Sequence, residues 1–351
     1  IERTDIVIPY DLSNSMESNK VPGTNRTRTD VAAEATKDFI NSLLTGNDKF
    51  RIAFVPYGTS IMDGNTRSYL QRNSNQNGGN YSVNEKNPFN YYVGSFTSNA
   101  NEITSKIPSS IKHGNHGGTF TQQAIRRAGE IISNSNAENK VIVTITDGLP
   151  TVSYNQANVV WGTGTENQGV ENMKAHRTNT INEANGLKSN YTLYSIGVGL
   201  SASSSAEREV IEGIAQKPED AYFANTVQEL VNALNEIANK ISDSVVNGSI
   251  DDPITEEFIL NSDNFTLASN EDLTDGEYFV TASDGSLLSG VTVTTEGQKV
   301  KVNGLNLGKD EWVKVRYKVQ VDTNNYDIDP TKLYPTNGPT ELTPRGDNPG
   351  E

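Results

Sequence analysis

The strongest constraint on the fold is a regular alternation of two kinds of segment over residues 4–243. Short apolar runs, such as TDIVIPY (4–10) and KVIVTITDG (140–148), alternate with longer stretches that have the apolar spacing of a helix. Such alternation requires crossover connections, which place parallel strands in one sheet covered by helices on both faces. The sequence therefore predicts an α/β fold with a doubly wound, mostly parallel sheet. Pro9 and Pro56 fall inside two predicted strands, where we expect a bulge at each.

Two long segments interrupt this alternation and are interpreted as insertions in a first domain that spans residues 1–243. Residues 63–116 and 153–168 are rich in Asn, Gly and aromatic residues. Loops of this length in a folded domain are usually functional, and exposed Tyr and Trp suit binding surfaces. We interpret both insertions as binding loops; the alternative is that they are solvated insertions without a ligand.

The pattern changes after residue 244. Segments such as GEYFVTAS (276–283) and EWVKVRYKVQVDT (311–323) alternate apolar with polar residues, and Asp-Gly and Asn-Gly turns separate the segments of this region. This pattern predicts a second, all-β domain over residues 244–345 with the antiparallel strands of a sandwich. The Pro- and Gly-rich end of the chain predicts a linker over residues 346–351.

Charge and cysteine content exclude several classes of function. The chain of 351 residues has 44 Asp and Glu against 29 Lys and Arg, a net charge of −15, which disfavours nucleic acid and membrane surfaces as partners. There is no Cys, so disulfides, thiolate metal sites and cysteine nucleophiles are excluded, and three His leave little imidazole chemistry. Any bound metal must therefore be held by oxygen atoms.

Oxygen-bearing side chains follow the first predicted strand at alternate positions: Asp11, Ser13 and Ser15. Ligands of doubly wound sheets bind at the carboxyl ends of the strands, and alternate spacing lets three side chains of a loop face one point. The alternative is a strand end followed by a helix cap, since Asp and Ser favour both.

Two further segments offer similar groups, Thr119 in GGTFTQQAI (117–125) and Asp147 in IVTITDG (142–148). Alone, Thr119 could be an N-cap and Asp147 an ordinary strand-end residue. The order of the three elements and their positions at strand and helix ends instead predict one convergent site. Hydroxyls and carboxylates are hard ligands that suit Mg²⁺, with Mn²⁺ and Ca²⁺ as alternatives.

The motifs D-x-S-x-S, G-G-T and T-D-G resemble those of the von Willebrand factor A domain family, over residues 4–243. The resemblance implies a metal-ion-dependent adhesion site whose free coordination position is filled by a Glu or Asp of a partner. Asn14 departs from the glycine often found between the two serines. Carried over residue by residue, the metal ligands implied are Asp11, Ser13, Ser15, Thr119 and Asp147.

The second domain resembles the β-sandwich that adjoins the A domain in tip adhesins of Gram-positive sortase-assembled pili. In that family the first strands of the sandwich precede the A domain, so we expect either that those strands are absent here and the sandwich is incomplete, or that the chain is an excised fragment. The resemblance also implies a Lys–Asn isopeptide bond with Asn337 in the last strand. We favour a simple Asn337–Gly338 turn over that bond. A partner lysine would have to lie upstream or at Lys314 or Lys318.

Together these features predict an extracellular adhesin at the tip of a pilus attached to the cell wall. Its expected partners are a host matrix protein, such as collagen, fibrinogen or fibronectin, and other pilus subunits. One alternative is a structural pilus subunit whose metal only stabilises the fold. The other, a metal-dependent hydrolase, needs a general base beside the ion; we interpret His113 and His116 as loop residues and predict that the protein is not an enzyme.

Overall fold

The structure is a computed structural model, in which the chain divides into two units, residues 1–237 and residues 238–351. The predicted linker over residues 346–351 lies outside the described residues. No helix in the part of the chain that is described has the length and apolar character needed to cross a bilayer. The structure describes residues 3–72, 81–200, 204–241, 245–263, 265–308, 311–325 and 327–343.

The elements of the first part of the chain follow the predicted alternation of strands and helices. The strands are β1 (Thr4–Asp11), β2 (Phe50–Tyr57), β3 (Arg67–Arg72), β4 (Tyr81–Lys86), β5 (Val93–Thr97), β6 (Asn139–Thr146), β7 (Ser153–Tyr154), β8 (Val160–Trp161), β9 (Thr192–Val198) and β10 (Ala221–Ala224). The helices are α1 (Asn14–Ser18), α2 (Arg28–Leu44), α3 (Ala100–Thr104), α4 (Thr121–Ser133), α5 (Val170–Asn185), α6 (Ser205–Ile214) and α7 (Val227–Ile241), with a 3₁₀ turn at Pro218–Asp220.

The central sheet has the strand order β10-β9-β6-β1-β2-β5. Its strands run parallel, except that β5 is antiparallel to β2. The chain proceeds from β1 to β2 on one side and then reaches β6 on the other, so the strand order reverses beside β1. This is the predicted doubly wound α/β fold, and it places the carboxyl ends of β1 and β6 side by side.

The core of this unit forms because apolar residues occupy the faces that the sheet and helices share. Every residue of β1 is buried, as expected for a strand covered on both faces. On α4, Ile125, Ala128 and Ile132 repeat at helical spacing and pack with Val7 and Val55 of the sheet. Burial of these side chains fixes α4 against the sheet and so fixes the loop that precedes it.

The prediction of bulges at Pro9 and Pro56 is wrong. β1 and β2 keep one register along the whole of β1, through both prolines. On its other side β1 keeps one register with β6, but Ile8 and Pro9 are not among the paired residues. Phe54 is the last residue of β2 that pairs with β5, so Pro56 lies beyond that ladder. Each proline therefore lies where one flanking strand is not paired with it, so its missing N–H requires no bulge.

The two insertions contain regular structure of their own. The first contains the β3–β4 hairpin, α3 and β5, which forms an edge strand of the central sheet, and the second contains the β7–β8 hairpin. Leu70 and Val83 of the first insertion form a small core with Phe120 and Val152, against which Val160 also packs. Phe120 directly follows Thr119, so this core connects both insertions to the loop of a predicted metal ligand.

The strands of the second unit are β11 (Val245–Pro253), β12 (Phe258–Ile259), β13 (Thr266–Leu267), β14 (Glu277–Ala282), β15 (Thr292–Thr295), β16 (Lys299–Leu307), β17 (Val313–Tyr317), β18 (Gln320–Val321) and β19 (Glu341–Thr343), with a 3₁₀ turn at Gly285–Leu288. Their pairings are antiparallel, as the alternating pattern predicts, except that β13 runs parallel to β14. One sheet has the order β15-β16-β11-β19, a second has β13-β14-β17, and β12 pairs with β18. A core around Ile254, Leu260 and Val300 lies within this unit.

Candidate metal-binding site

Four of the five predicted ligands lie together at the adjacent carboxyl ends of β1 and β6. Asp11 ends β1, Ser13 and Ser15 lie at the start of α1, and Asp147 directly follows β6. The Oγ atoms of Ser13 and Ser15 are 3.0 Å apart, and the Ser15 hydroxyl donates to Asp147 Oδ1 over 2.8 Å. Because the hydroxyl hydrogen of Ser15 points to Asp147, the Ser13 hydroxyl is the donor in its contact with Ser15.

The Asp11 carboxylate is fully buried and held at both oxygens. The backbone N–H of Ser13 donates to Asp11 Oδ1 over 2.7 Å, and the hydroxyl of Thr146 donates to Oδ2 over 2.6 Å. Burial raises the pKa of Asp11, and these hydrogen bonds act in the opposite direction. Sequence analysis did not identify Thr146, although it stands directly before Asp147 in TITDG.

Asp147 carries the second buried carboxylate of the cluster. Burial, followed by the negative charge of Asp11, raises the pKa of Asp147 to about 7, while hydrogen bonds from Arg28 and Ser15 act in the opposite direction. Two neighbouring carboxylates are thus removed from water with one guanidinium as a counter-charge. An additional cation would offset the remaining negative charge of such a cluster.

Arg28 is a charged residue of this site that sequence analysis missed. Its NH1 group donates to Asp147 Oδ2 over 2.8 Å, and its NH2 group donates to the carbonyl oxygen of Gly199 over 2.8 Å. The Arg28 side chain is 16% exposed and that of Asp147 is 1% exposed. Arg28 begins α2, where the helix dipole disfavours a positive charge. An arginine at the first position of a predicted helix is therefore the feature of the sequence that could have pointed to Arg28.

The loop of Thr119 lies against the loop of the two serines. The N–H of Asn14 donates to the Gly117 carbonyl oxygen over 2.9 Å, and a Cβ atom at Gly117 would come within 2.9 Å of the Asn14 Cβ, so glycine permits this approach. The Thr119 N–H donates to Thr151 Oγ1 over 2.9 Å. In the described part of the chain, the Thr119 hydroxyl forms no hydrogen bond with the four clustered residues.

The capping alternatives for these residues do not hold. The N-cap of α4 is Phe120, so Thr119 does not cap that helix. Ser13 is the N-cap residue of α1, but its side chain forms no capping hydrogen bond, because its hydroxyl contacts Ser15 instead. The hydroxyls are therefore not explained by helix capping.

The donor set fits a hard divalent cation. It consists of two carboxylates and the hydroxyls of serine and threonine, which are oxygen donors of the kind that Mg²⁺ binds. Among the residues that the structure describes, no group of three or more His, Asp and Glu is placed to hold a metal ion. Hydroxyl groups would therefore have to complete the coordination.

The two histidines near Thr119 make structural contacts. His113 Nε2 lies 2.6 Å from the Leu12 carbonyl oxygen. His116 Nδ1 lies 3.2 Å from Ser68 Oγ, and its Nε2 lies 3.2 Å from Glu85 Oε1. Burial lowers the pKa of both imidazoles. The contact of His113 holds the end of the first insertion against the loop after β1, and the contacts of His116 hold it against the β3–β4 hairpin. These contacts support the interpretation of both histidines as loop residues.

A groove lies between the two insertions. It has a volume of about 560 Å³, and Tyr69, Leu70 and Val83 line one side while Val160 and Trp161 line the other. Its remaining described lining residues are Asn84, Asn155, Val159, Gly162, Thr163, Gln168 and Asn172. The lining carries aromatic, aliphatic and amide groups without a formal charge, which suits contact with an uncharged part of a protein surface.

Asn337 lies in the second unit, in a β-bridge with Ile254, so the favoured interpretation of a simple turn is wrong. Its Nδ2 donates to Asp252 Oδ2 over 2.8 Å and to the Tyr317 hydroxyl over 2.6 Å. The Tyr317 hydroxyl in turn donates to Asp252 Oδ2 over 2.5 Å. The amide is therefore fixed between an acid and a phenol.

The two lysines considered as partners of Asn337 contact other groups. Lys314 Nζ lies 5.7 Å from the centre of the Trp312 ring, and Lys318 Nζ donates to the Leu273 carbonyl oxygen over 3.3 Å. The reason is strand alternation, since both positions differ by an odd number from residue 317, whose side chain faces Asn337. The structure thus gives no lysine partner for Asn337 at either position.

Family comparison agrees with the geometry of both units. The family model described as von Willebrand factor type A domain matches residues 5–240. The chain belongs to this family. The model described as tip pilin GBS104-like, Ig-like domain matches residues 244–350. The von Willebrand factor A domain is therefore followed by an Ig-like domain of the tip-pilin type. No curated protein sequence matches the chain.

Solved structures with the same fold include three pilus proteins. The adhesive tip pilin GBS104 from Group B Streptococcus agalactiae is 21% identical, with a TM-score of 0.56, over 98% of this chain and 82% of that one. The pilus adhesin RrgA from Streptococcus pneumoniae is 21% identical, with a TM-score of 0.56, over 100% and 60%. The pilus adhesin SpaC from Lactobacillus rhamnosus GG is 21% identical, with a TM-score of 0.59, over 100% and 43%. At this identity the likeness concerns the fold, and this chain spans less than two thirds of RrgA and SpaC.

Proposed function

We propose that this von Willebrand factor A protein is a pilus-tip adhesin whose A domain binds a host matrix protein through a divalent cation. The cation is proposed to be Mg²⁺, with Mn²⁺ and Ca²⁺ as alternatives. The proposed location is the outer end of a cell-wall-attached pilus, with other pilus subunits as further partners. The residues proposed to hold the cation are Asp11, Ser13, Ser15, Thr119 and Asp147.

The observation that carries this proposal is the continuous contact from Ser13 through Ser15 to Asp147 beside the buried carboxylate of Asp11. Without a cation, two buried carboxylates and two hydroxyls of this kind stabilise little. When bound, the cation would act as a Lewis acid for an oxygen ligand from outside the protein. The chain's own residues hold the donor atoms in place and shield them from water.

The insertions support a protein ligand over a small molecule. Their shared core contains Phe120, which directly follows Thr119, and the uncharged groove lies between them. A partner whose acidic side chain reaches the cation would place adjoining surface against this groove. Collagen, fibrinogen and fibronectin are the candidates to screen first.

The decisive experiment measures binding of the full chain to immobilised collagen, fibrinogen and fibronectin, with Mg²⁺ and with a chelator. Asp11→Ala and Asp11→Asn test the site. Asp38→Ala is the matched control, because Asp38 is an exposed carboxylate in the interior of α2. We expect binding by the parent and by Asp38→Ala in Mg²⁺, and loss of binding with the chelator or in either Asp11 variant.

The same experiment separates the adhesin from a structural subunit with a stabilising metal. For the structural subunit, Asp11→Asn would lower the melting temperature in Mg²⁺ and leave matrix binding unchanged. Matrix binding that persists in the chelator or in Asp11→Asn would therefore overturn the proposal. Circular dichroism of the variant checks that a loss of binding is not caused by unfolding.

A further inference from the structure

We propose that Arg28 sets the charge balance of the metal site, so that it lowers the affinity for the cation and raises the affinity of the loaded site for a carboxylate. This inference rests on the proposed function, since it needs a cation at Asp11 and Asp147. It assigns Arg28 a role in selecting an anionic partner group rather than a role as a metal ligand.

The contacts of Arg28 place a fixed positive charge in direct contact with a proposed ligand. The guanidinium donates to Asp147 Oδ2, while the other oxygen of this carboxylate accepts from Ser15. The Arg28 Nε atom is buried and has no hydrogen-bond partner in the described part of the chain. A guanidinium that is largely withdrawn from water interacts more strongly with neighbouring charges than an exposed one.

Helix stability does not explain an arginine at this position. Arg28 is the first residue of α2, where a positive charge opposes the helix dipole. The nearby acidic residues Asp30 and Glu34 pair with Arg26, not with Arg28. The contact that offsets the charge of Arg28 is therefore the one with Asp147.

The backbone is also shaped to receive the guanidinium. Gly199 follows β9 with a φ of +68°, and its carbonyl oxygen accepts from the Arg28 NH2 group over 2.8 Å. A Cβ atom at Gly199 would collide with Arg28 Nε. A residue with a side chain would thus be strained by its backbone conformation and would displace the arginine. The loop after β9 therefore holds the guanidinium of Arg28 at one position.

The consequence follows from counting charges. Asp11 and Asp147 contribute two negative charges and Arg28 contributes one positive charge, so a divalent cation leaves the loaded site with a net positive charge. Without Arg28 the loaded site would be neutral. Arg28 therefore repels the cation and attracts an incoming carboxylate, and at the separations within such a cluster each effect changes an affinity by about tenfold or more.

The test uses Arg28→Gln and Arg28→Met, which remove the charge, and Arg28→Lys, which retains it. Mn²⁺ affinity is measured by calorimetry on the chelator-stripped chain of residues 1–351. Acetate binding to the Mn²⁺-loaded protein is measured by water-proton relaxation at constant ionic strength. Lys140→Gln is the control for net charge, because Lys140 lies near the start of β6, on the order of 20 Å along the strand from Asp147.

We expect both neutral variants to bind Mn²⁺ about tenfold more tightly and acetate about tenfold more weakly than the parent. Arg28→Lys and Lys140→Gln should resemble the parent in both affinities. A purely structural role for Arg28 would not shift the two affinities in opposite directions.

Three results would overturn the proposal: unchanged affinities in the neutral variants, weaker Mn²⁺ binding in them, or failure of both to fold. The last two would identify Arg28 as a clamp that holds the loops together. Failure of the proposed function is separately visible, because the parent itself would then bind no Mn²⁺.

Discussion

Acidification is expected to destabilise the A domain through His176, a fully buried histidine of α5. Ser153 Oγ lies 2.8 Å from His176 Nδ1, and Gln168 Oε1 lies 3.0 Å from His176 Nε2. The Gln168 side-chain NH₂ donates to the carbonyl oxygens of Thr151 and Thr165, so its oxygen faces the imidazole. His176 Nε2 therefore carries a hydrogen and donates to Gln168, and Nδ1 of the neutral imidazole accepts from the Ser153 hydroxyl.

The sign and size of the effect follow from the pKa of His176, which burial lowers from 6.5 to about 4. The unfolded chain takes up the proton at a higher pH than the folded protein, so this contribution to stability is complete above pH 6.5 and is lost as the pH falls towards 4. The linkage relation gives a loss of about 2 kcal/mol at pH 5 and about 3 kcal/mol at pH 4, relative to pH 7.

The assay is urea unfolding in a chelator at pH 7 and pH 5, for a parent that carries Trp312→Phe. Trp161 is then the remaining tryptophan, and its ring lies 4.2 Å from that of His176, so its fluorescence reports on this region. The same background with His176→Asn keeps a hydrogen-bond acceptor near the position of Nδ1 and removes the titrating group.

The parent should lose about 2 kcal/mol more than the His176→Asn variant between pH 7 and pH 5. The variant itself should be less stable at pH 7, because asparagine is smaller than the side chain it replaces. Other groups that titrate in this range, including His113 and His116, are common to both proteins and cancel in the difference. Equal losses of stability in the two proteins would refute the reasoning.

Three further perturbations have defined outcomes. A Mg²⁺ concentration of 100 times the dissociation constant should stabilise the parent by about 2.7 kcal/mol, which calorimetry would show as a rise in Tm of roughly 5–10 °C. Asp11→Asn should abolish this rise in Tm. A variant that keeps it would exclude Asp11 as a ligand. Phe120→Ala should cost about 3–5 kcal/mol in urea unfolding, because Phe120 is 1% exposed in the core of the insertions; a loss below 1 kcal/mol would contradict that packing. Mass spectrometry of the chain should give its full sequence mass, because the two candidate lysine amines contact groups other than Asn337; a proteolytic fragment in which a lysine peptide is joined to the Asn337 peptide, with the loss of one ammonia, would show an isopeptide bond.

Sequence pattern predicted the architecture because it reports local burial. The apolar run at residues 4–10 becomes the fully buried β1, and the alternating segments after residue 244 become the strands of the Ig-like domain. The same pattern does not indicate at which residues a strand stays paired with each of its two neighbouring strands. For that reason the expected bulges at Pro9 and Pro56 were wrong, since Pro9 lies at a gap in the β1–β6 ladder and Pro56 lies beyond the end of the β2–β5 ladder.

The residues of the candidate site were predictable for a related reason. Asp11 and Asp147 follow apolar strands, and parallel strands bring their carboxyl ends to one edge of the sheet. The structure joins Asp11, Ser13, Ser15 and Asp147 by hydrogen bonds, while the binding of a cation by them stays a prediction. The sequence thus determined which oxygens could converge.

The tertiary structure alone decided which other groups meet those oxygens. Arg28 reaches Asp147 from the start of α2, 119 residues away in the sequence, and also contacts Gly199 after β9. His176 meets Ser153 from a different element in the same way. A periodic pattern records whether a side chain is buried within its own element, but the partner of a buried charge depends on how strands and helices distant in sequence pack together. The charge of the site and the pH dependence of the domain are therefore properties of the folded chain, whereas its alternation of strands and helices and its candidate ligands follow from patterns that the sequence carries locally.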